Sequence, residues 1–153
     1  QLHKNNVRLR FIGNRSGFSE KLQVNMGEVE ELTKNNTGTT VIVAADYGGR
    51  WDITNAAKNI ARDIEQGRLA SAEIDLELMQ GYMGTDGYPD PDLCIRTGGE
   101  HRVSNFLLWQ AAYSELVFFD VLWPDFDRSF LEKAVAIYSE RERRFGAVSK
   151  GSA

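Results

Sequence analysis

Thr39–Gly67 reads "TTVIVAADYGGRWDITNAAKNIARDIEQG", and its hydrophobic period changes part-way along. Thr39–Ala45 is β-branched and apolar along its length, the composition of a strand buried on both faces of a parallel sheet. From Ile53 onward, Ile53, Ala56, Ala57, Ile60, Ala61 and Ile64 recur every three or four positions. That spacing predicts an amphipathic helix ending near Gly67. The glycines of "DYGGRWD" between them read as a loop. A strand, a glycine turn and a helix form the unit from which parallel sheets are built, because a parallel neighbour can be reached only through a crossover.

The same alternation extends in both directions. Upstream, Val7–Ile12 reads as a strand ending at Gly13, and Leu22, Met26 and Val29 fall at helical spacing between Ser19 and Lys34. Downstream, a short helix is expected over Asp75–Tyr82, then a loop "GTDGYPDP", then a strand over Asp92–Arg96. A helix is expected from about Asn105 to Tyr113 and a last strand over Glu115–Asp120. Asp127 is placed to cap a closing helix that runs to about Arg144, with Phe130, Leu131, Ala134, Val135 and Tyr138 on its buried face. The order β-α-β-α-α-β-α-β-α predicts an α/β fold: a mainly parallel sheet flanked by helices.

The 153 residues are enough for one domain with a real core, and 42% apolar with 26% charged content is ordinary for a globular protein. Residues 1–146 are expected to be domain and 147–153 a disordered tail. A net charge of -4 argues against a nucleic-acid partner. No apolar run approaches the roughly 20 residues of a membrane span. Cys94 is the sole cysteine, so no internal disulfide can form; a reducing compartment fits, and the expected location is cytoplasmic. The start "QLHKNNVRLRF" has no apolar leader and opens almost at once on a strand, as the middle of a longer protein would.

Ligands of parallel sheets bind beyond the carboxyl ends of the strands. Three glycine turns are expected there, "FIGNR", "AADYGGR" and "CIRTGGEHR", carrying Arg15, Arg50, Arg96 and Arg102. The last continues as "RTGGEHRVSNFLLWQ" (Arg96–Gln110). Two arginines, a Gly98–Gly99 corner and a helix beginning after Ser104 together describe a cradle for a diphosphate. The plainer alternative is that the arginines pair with Glu100 or surface acids and the glycines only turn the chain. Glu115, in the apolar setting "AAYSELVFF", reads either as a Mg²⁺ ligand or as a salt-bridge partner. His101 is either a hydrogen-bonding residue or an aid to proton transfer. Trp51, Trp109, Trp123 and Cys94 read as packing residues. There is no P-loop motif and no zinc-ligand spacing.

"RTGGEHRVSNFLLWQAAYSEL", "YGGRWDI", "LTKNNTG", "VLWPDFD" and "RERRFG" occur in this order and together resemble the cis-prenyltransferases, those of bacteria above all. The resemblance covers nearly the whole chain. It implies transfer of a prenyl group: isopentenyl diphosphate condensed onto an allylic diphosphate such as farnesyl diphosphate, giving a cis-polyprenyl diphosphate lipid carrier for cell-wall synthesis. By the same resemblance Arg96, Arg102 and Ser104 hold the isopentenyl diphosphate, Glu100 is an acid beside the site, and Glu115 binds Mg²⁺. Arg144 and Gly146 form an R-x-G motif that completes a partner's site in a homodimer. Membrane contact would be peripheral, through the lipid product. Two family motifs, an "HxxDGNxRWA"-type loop and an "SxENWxRP"-type segment, do not occur, so the chain corresponds to about the C-terminal three-fifths of such an enzyme. Little activity is therefore expected of it alone. The alternative function is a non-catalytic diphosphate-binding or dimerisation fragment of the same fold.

Overall fold

A computed structural model describes residues 1–140. Arg144, Gly146 and the expected tail lie outside the described residues. The chain divides into two compact units, Gln1–Tyr88 and Pro89 onward.

In the first unit, β1 (Arg8–Ile12) and β2 (Thr40–Ala44) pair in parallel, Arg8 opposite Thr40 and Ile12 opposite Ala44. The crossover is α1 (Glu20–Thr33), whose cap Ser19 accepts from the Leu22 amide at 3.4 Å. Gly13 (φ 110°) turns the chain out of β1, and a Cβ there would overlap the Ala45 carbonyl oxygen. The helix α2 (Gly49–Glu65) begins at Gly49, inside the stretch expected to be loop. Asp52 explains the earlier start. It is buried (1% exposed) and accepts from Tyr47 Oη at 2.8 Å and from the Gly84 amide at 2.9 Å. A carboxylate so placed favours the positive end of the first turn. Ala56 and Ile60 carry the buried face below it, and α3 (Leu76–Gly81) follows, capped by Asp75.

The outer edge of β1 has no strand beside it among the described residues, yet most of its polar groups are bonded. Asn36 Nδ2 donates to the Val7 carbonyl (2.6 Å), and the Leu9 amide donates to Thr33 Oγ1 (3.1 Å). The Phe11 amide donates to Glu30 Oε1 (2.8 Å), and Arg15 Nη2 donates to the Phe11 carbonyl (2.9 Å). Side chains of α1 and its flanks thus replace a neighbouring strand. β2 differs from expectation. Among the described residues it pairs only with β1, and Val41 and Val43 are 39% and 38% exposed instead of buried on both faces.

In the second unit, β3 (Leu93–Arg96) and β4 (Glu115–Phe118) pair in parallel, Leu93 opposite Glu115 and Arg96 opposite Phe118. Among the described residues all strand pairing is parallel, as expected, with one two-stranded sheet in each unit. The helix expected over Asn105–Tyr113 is absent. Ser104, Asn105 and Leu107 have φ of 48°, 65° and 44°, and a right-handed helix cannot pass through left-handed residues. The segment folds as successive turns, with bonds such as Phe106 N to Val103 O and Ala111 N to Leu107 O. The last helix, α4, is described over Arg128–Glu140, and Asp127 accepts from the amides of Ser129 (2.8 Å) and Phe130 (3.3 Å). Ala134 is buried on it, but Leu131 and Val135 are exposed, contrary to expectation. They lie about one residue's rotation (roughly 100°) from the line of Phe130 and Ala134 that meets the unit. Trp123 stacks on Phe126 but is 72% exposed, so it is only partly a packing residue.

Glu30 gives the β1 edge a pH dependence. Burial works to raise its carboxyl, but the hydrogen bonds from Arg15 and the Phe11 amide outweigh that and hold it below the usual value of 4.5. A lowered folded value means stability that is present above that pH and lost as pH falls through the folded value. Glu30→Gln should cost roughly 1–2 kcal/mol near neutral pH. The gap to wild type should shrink steadily in denaturant unfolding curves as pH drops below about 4.5. A gap independent of pH would show that the charge of Glu30 contributes nothing.

Candidate diphosphate site

The β3–β4 ladder continues past its last residues. The Phe119 amide donates to the Arg96 carbonyl at 2.8 Å, Gly98 N donates to Val121 O at 2.8 Å, and Gly99 N to Phe119 O at 3.3 Å. Gly98 and Gly99 both have positive φ (86° and 71°), which lets the chain fold back along the extension of β4. Their amides are spent on that extension. The glycine corner therefore fixes the loop, and ligand contacts fall to the side chains that follow it.

Those side chains enclose a cavity of about 220 Å³. Its wall is apolar: Ile95, Val103, Phe106, Leu116 and Phe118, with the Cys94 thiol. Arg96 and Arg102 are its charged members. Arg96 Nη1 donates to the Arg102 carbonyl at 2.5 Å, which ties the two arginines' segments together. Arg102 Nε donates to Glu100 Oε2 at 2.6 Å. Both partners are well exposed, so this pair is weak and exchangeable. His101 lies against the Phe118 ring (5.2 Å between centroids), and its Nε2 is 3.9 Å from Asp120 Oδ1.

The structure thus brings Arg96, Glu100, His101 and Arg102 together. The positive helix end expected after Ser104 is missing; Ser104 is an exposed left-handed residue in a turn. Strand alternation places Glu115 with Val117 on the face opposite Leu116 and Phe118, which line the cavity. No group of three His, Cys, Asp or Glu side chains able to hold a metal is present among the described residues. Arg15 and Arg50 belong to the first unit; Arg15 is held by Glu30 and the Phe11 carbonyl, a structural use. The apolar wall of this cavity comes from second-unit side chains that the sequence motifs did not assign to the site. Its signal was period 2: Cys94 and Arg96 on one strand, Leu116 and Phe118 on the next, all on one face.

The family model for undecaprenyl diphosphate synthase matches residues 1–146. The chain belongs to this prenyltransferase family. It is 52% identical over 150 residues to the ditrans,polycis-undecaprenyl-diphosphate synthase of Pseudomonas aeruginosa, covering 98% of this chain and 60% of the relative. The corresponding farnesyl-diphosphate-specific enzyme of Escherichia coli is 50% identical, covering 98% and 59%. Among solved structures, lavandulyl diphosphate synthase from Lavandula x intermedia, in complex with dimethylallyl diphosphate, superposes with a TM-score of 0.87 at 40% identity, covering 92% of this chain and 60% of that one. The chain therefore spans about three-fifths of the length of the relatives it matches. No helix among the described residues is long and apolar enough to cross a membrane.

Cys94 offers a probe of the cavity. Burial pushes its thiol above the usual value of 9.0, with Arg96 pulling the other way. The thiolate is then under about 1% of the population at pH 7, so alkylation should be slow there and accelerate only as pH rises past 9. A diphosphate ligand seated at Arg96 and Arg102 should slow it further. Rapid labelling at pH 7, unaffected by such a ligand, would place the thiol outside the cavity.

Proposed function

We propose that the chain is the isopentenyl-diphosphate-binding part of a cytoplasmic cis-prenyltransferase that extends farnesyl diphosphate to a cis-polyprenyl diphosphate carrier for cell-wall (peptidoglycan) synthesis. The observation that carries this reading is the two-sided character of one cavity, with guanidinium groups beside a wall of aliphatic and aromatic side chains. An amphiphile with a diphosphate head and a short branched tail matches both parts. Arg102 would exchange Glu100 for diphosphate oxygens, a stronger pairing because those oxygens carry more charge and accept in a fork. Arg96 would hold the loop through the Arg102 carbonyl while its other donors reach the same group. Glu100, displaced, remains beside the site as an acid or base.

In the condensation, the terminal carbon of isopentenyl diphosphate bonds to C1 of the allylic diphosphate. The allylic C–O bond breaks, diphosphate leaves with the electron pair, and a proton is lost from the isopentenyl unit. Positively charged groups stabilise the diphosphate, and a dry apolar wall protects the electron-poor carbon from water. The same reading includes Mg²⁺, which Glu115, on the β4 face opposite Leu116 and Phe118, would hold as a single carboxylate; the ion would neutralise charge on a diphosphate, its usual role. The described residues alone do not complete a metal cage.

The exposure of the apolar side chains Leu122, Trp123, Leu131 and Val135 favours a second reading of the same chain: a dimerisation and diphosphate-binding module, in which a second copy covers them and Arg144 with Gly146 reach the neighbour's Arg96–Ser104 loop. The two readings differ in turnover, which the module lacks.

Isopentenyl diphosphate titrated calorimetrically into the chain should bind, and Arg102→Ala should weaken it about ten- to a hundredfold. An unchanged affinity removes Arg102 from the site and sinks the assignment. In a complete relative of this family, replacing the glutamate equivalent to Glu115 by Gln should raise the Mg²⁺ concentration for half-maximal rate while leaving the fold intact, since an amide is a poor ligand for a hard cation. An unaltered Mg²⁺ dependence would return Glu115 to a salt-bridge role.

A further inference from the structure

The first unit holds a second pair of arginines that no ion pair among the described residues engages. Arg8 and Arg10 are two residues apart on β1, so both project from the face opposite Leu9 and Phe11. With Asp86, Gly87 and Tyr88 they line a cavity of about 180 Å³. Arg8 Nε is buried and has no hydrogen-bond partner. The ion pairs among the described residues engage Arg15, Lys34, Arg68, His101, Arg102 and Arg128, and neither Arg8 nor Arg10. Glu30 feels the field of Arg10, but its oxygen is taken by the Phe11 amide and Arg15. Asp86 lines the cavity without approaching either guanidinium within ion-pair distance.

A guanidinium N–H taken out of water with no acceptor is a net cost, and native structures rarely leave one so. Arg15, on the other side of the same strand, shows the contrast: it has both a carbonyl and a carboxylate. The loop beneath the arginines adds donors. The amides of Asp86 and Tyr88 are spent on Met83 and Thr85 carbonyls, whereas the Gly87 amide between them makes no such bond. Gly87 has φ of 79° and open space where a side chain would stand. Two guanidinium groups side by side select a ligand with several charged oxygens. The volume is below the roughly 300 Å³ at which pockets for larger organic ligands begin, which points to a small ion.

We propose that Arg8 and Arg10, with the Gly87 amide and the Tyr88 hydroxyl, form a binding site for a free phosphate or diphosphate ion, separate from the Arg96–Arg102 cavity. Arg8 supplies the buried donor, Arg10 the exposed one, and Asp86 limits how much negative charge the site accepts. The site stands on its own geometry and does not depend on the prenyl-transfer reading.

The test is calorimetric titration of inorganic diphosphate into the whole chain carrying Arg102→Ala, which silences the other arginine site. Binding should persist in that background and weaken as ionic strength rises. Adding Arg10→Gln, at an exposed strand position, should weaken it about tenfold or more. Adding Asp86→Asn instead should tighten it several-fold by removing a repelling charge, a gain that misfolding cannot imitate. Isopentenyl diphosphate should bind more weakly than the inorganic ion. No binding in the Arg102→Ala background, or affinity indifferent to both Arg10→Gln and Asp86→Asn, would overturn the proposal. Equal or tighter binding of isopentenyl diphosphate would overturn its assignment to a free ion.

Discussion

The carbonyl of Arg96 takes the hydrogen bond that ends one ladder and starts a loop. Up to that point β3 and β4 are bound as ordinary parallel neighbours. Beyond it, Phe119 and Val121 still offer carbonyls, and the Gly98 and Gly99 amides turn back to meet them. Only residues without a Cβ make that return cheaply, because both must take left-handed φ. Everything chemical in the second unit hangs from this fold-back. It sets Glu100, His101 and Arg102 beyond the strand ends, and it leaves Arg96 close enough to bond the Arg102 carbonyl. A single added side chain at either glycine would disturb the arginine spacing without touching an arginine.

Arginine is used in two ways within the chain. Arg15 is consumed: a partly buried carboxylate and a backbone carbonyl absorb its donors, and the result is a closed strand edge. Arg102 is held in reserve: its one carboxylate partner is exposed, so a multiply charged ligand can compete for it at little cost. The difference lies in what surrounds each guanidinium, since the side chains are chemically identical. Sequence proximity to a glycine turn at a strand end, which both share, does not separate the two.

Much of this was legible in the sequence. Alternation of apolar and basic residues located β1, the β-branched run located β2, the recurrence of Ala56 and Ile60 located α2, and Asp127 marked the start of α4, because each signal is local. The motif around Arg96 and Arg102 also carried its own reading as a cradle. Four features were not legible. The apolar spacing of "FLLWQAAY" imitates a helix, and nothing in it announces a left-handed residue at Leu107. The start of α2 at Gly49 depends on Asp52 meeting the Gly84 amide, a contact 32 residues apart in the chain. The exposure of Val41, Val43, Leu131 and Val135 depends on what lies beside each element, whereas apolar composition reports only what could be buried. The place of Glu115 was obscured for another reason: one step along a strand changes the face, so nearness in sequence to Leu116 sets it apart from the cavity that Leu116 lines.

The sealed edge of β1 has a further consequence for how copies of this chain could stick together. A sheet with two open edges adds strands at both, and association then continues without limit. In the first unit Asn36, Thr33, Glu30 and Arg15 occupy one edge, so addition can proceed only alongside β2. Two copies meeting edge to edge through β2 would present sealed edges on both outer sides, and growth would stop at the pair. Unit 1 is in this sense chain-terminated. Its own side chains act as the stopper, so a strand arriving on that side of β1 would find most of the row already occupied.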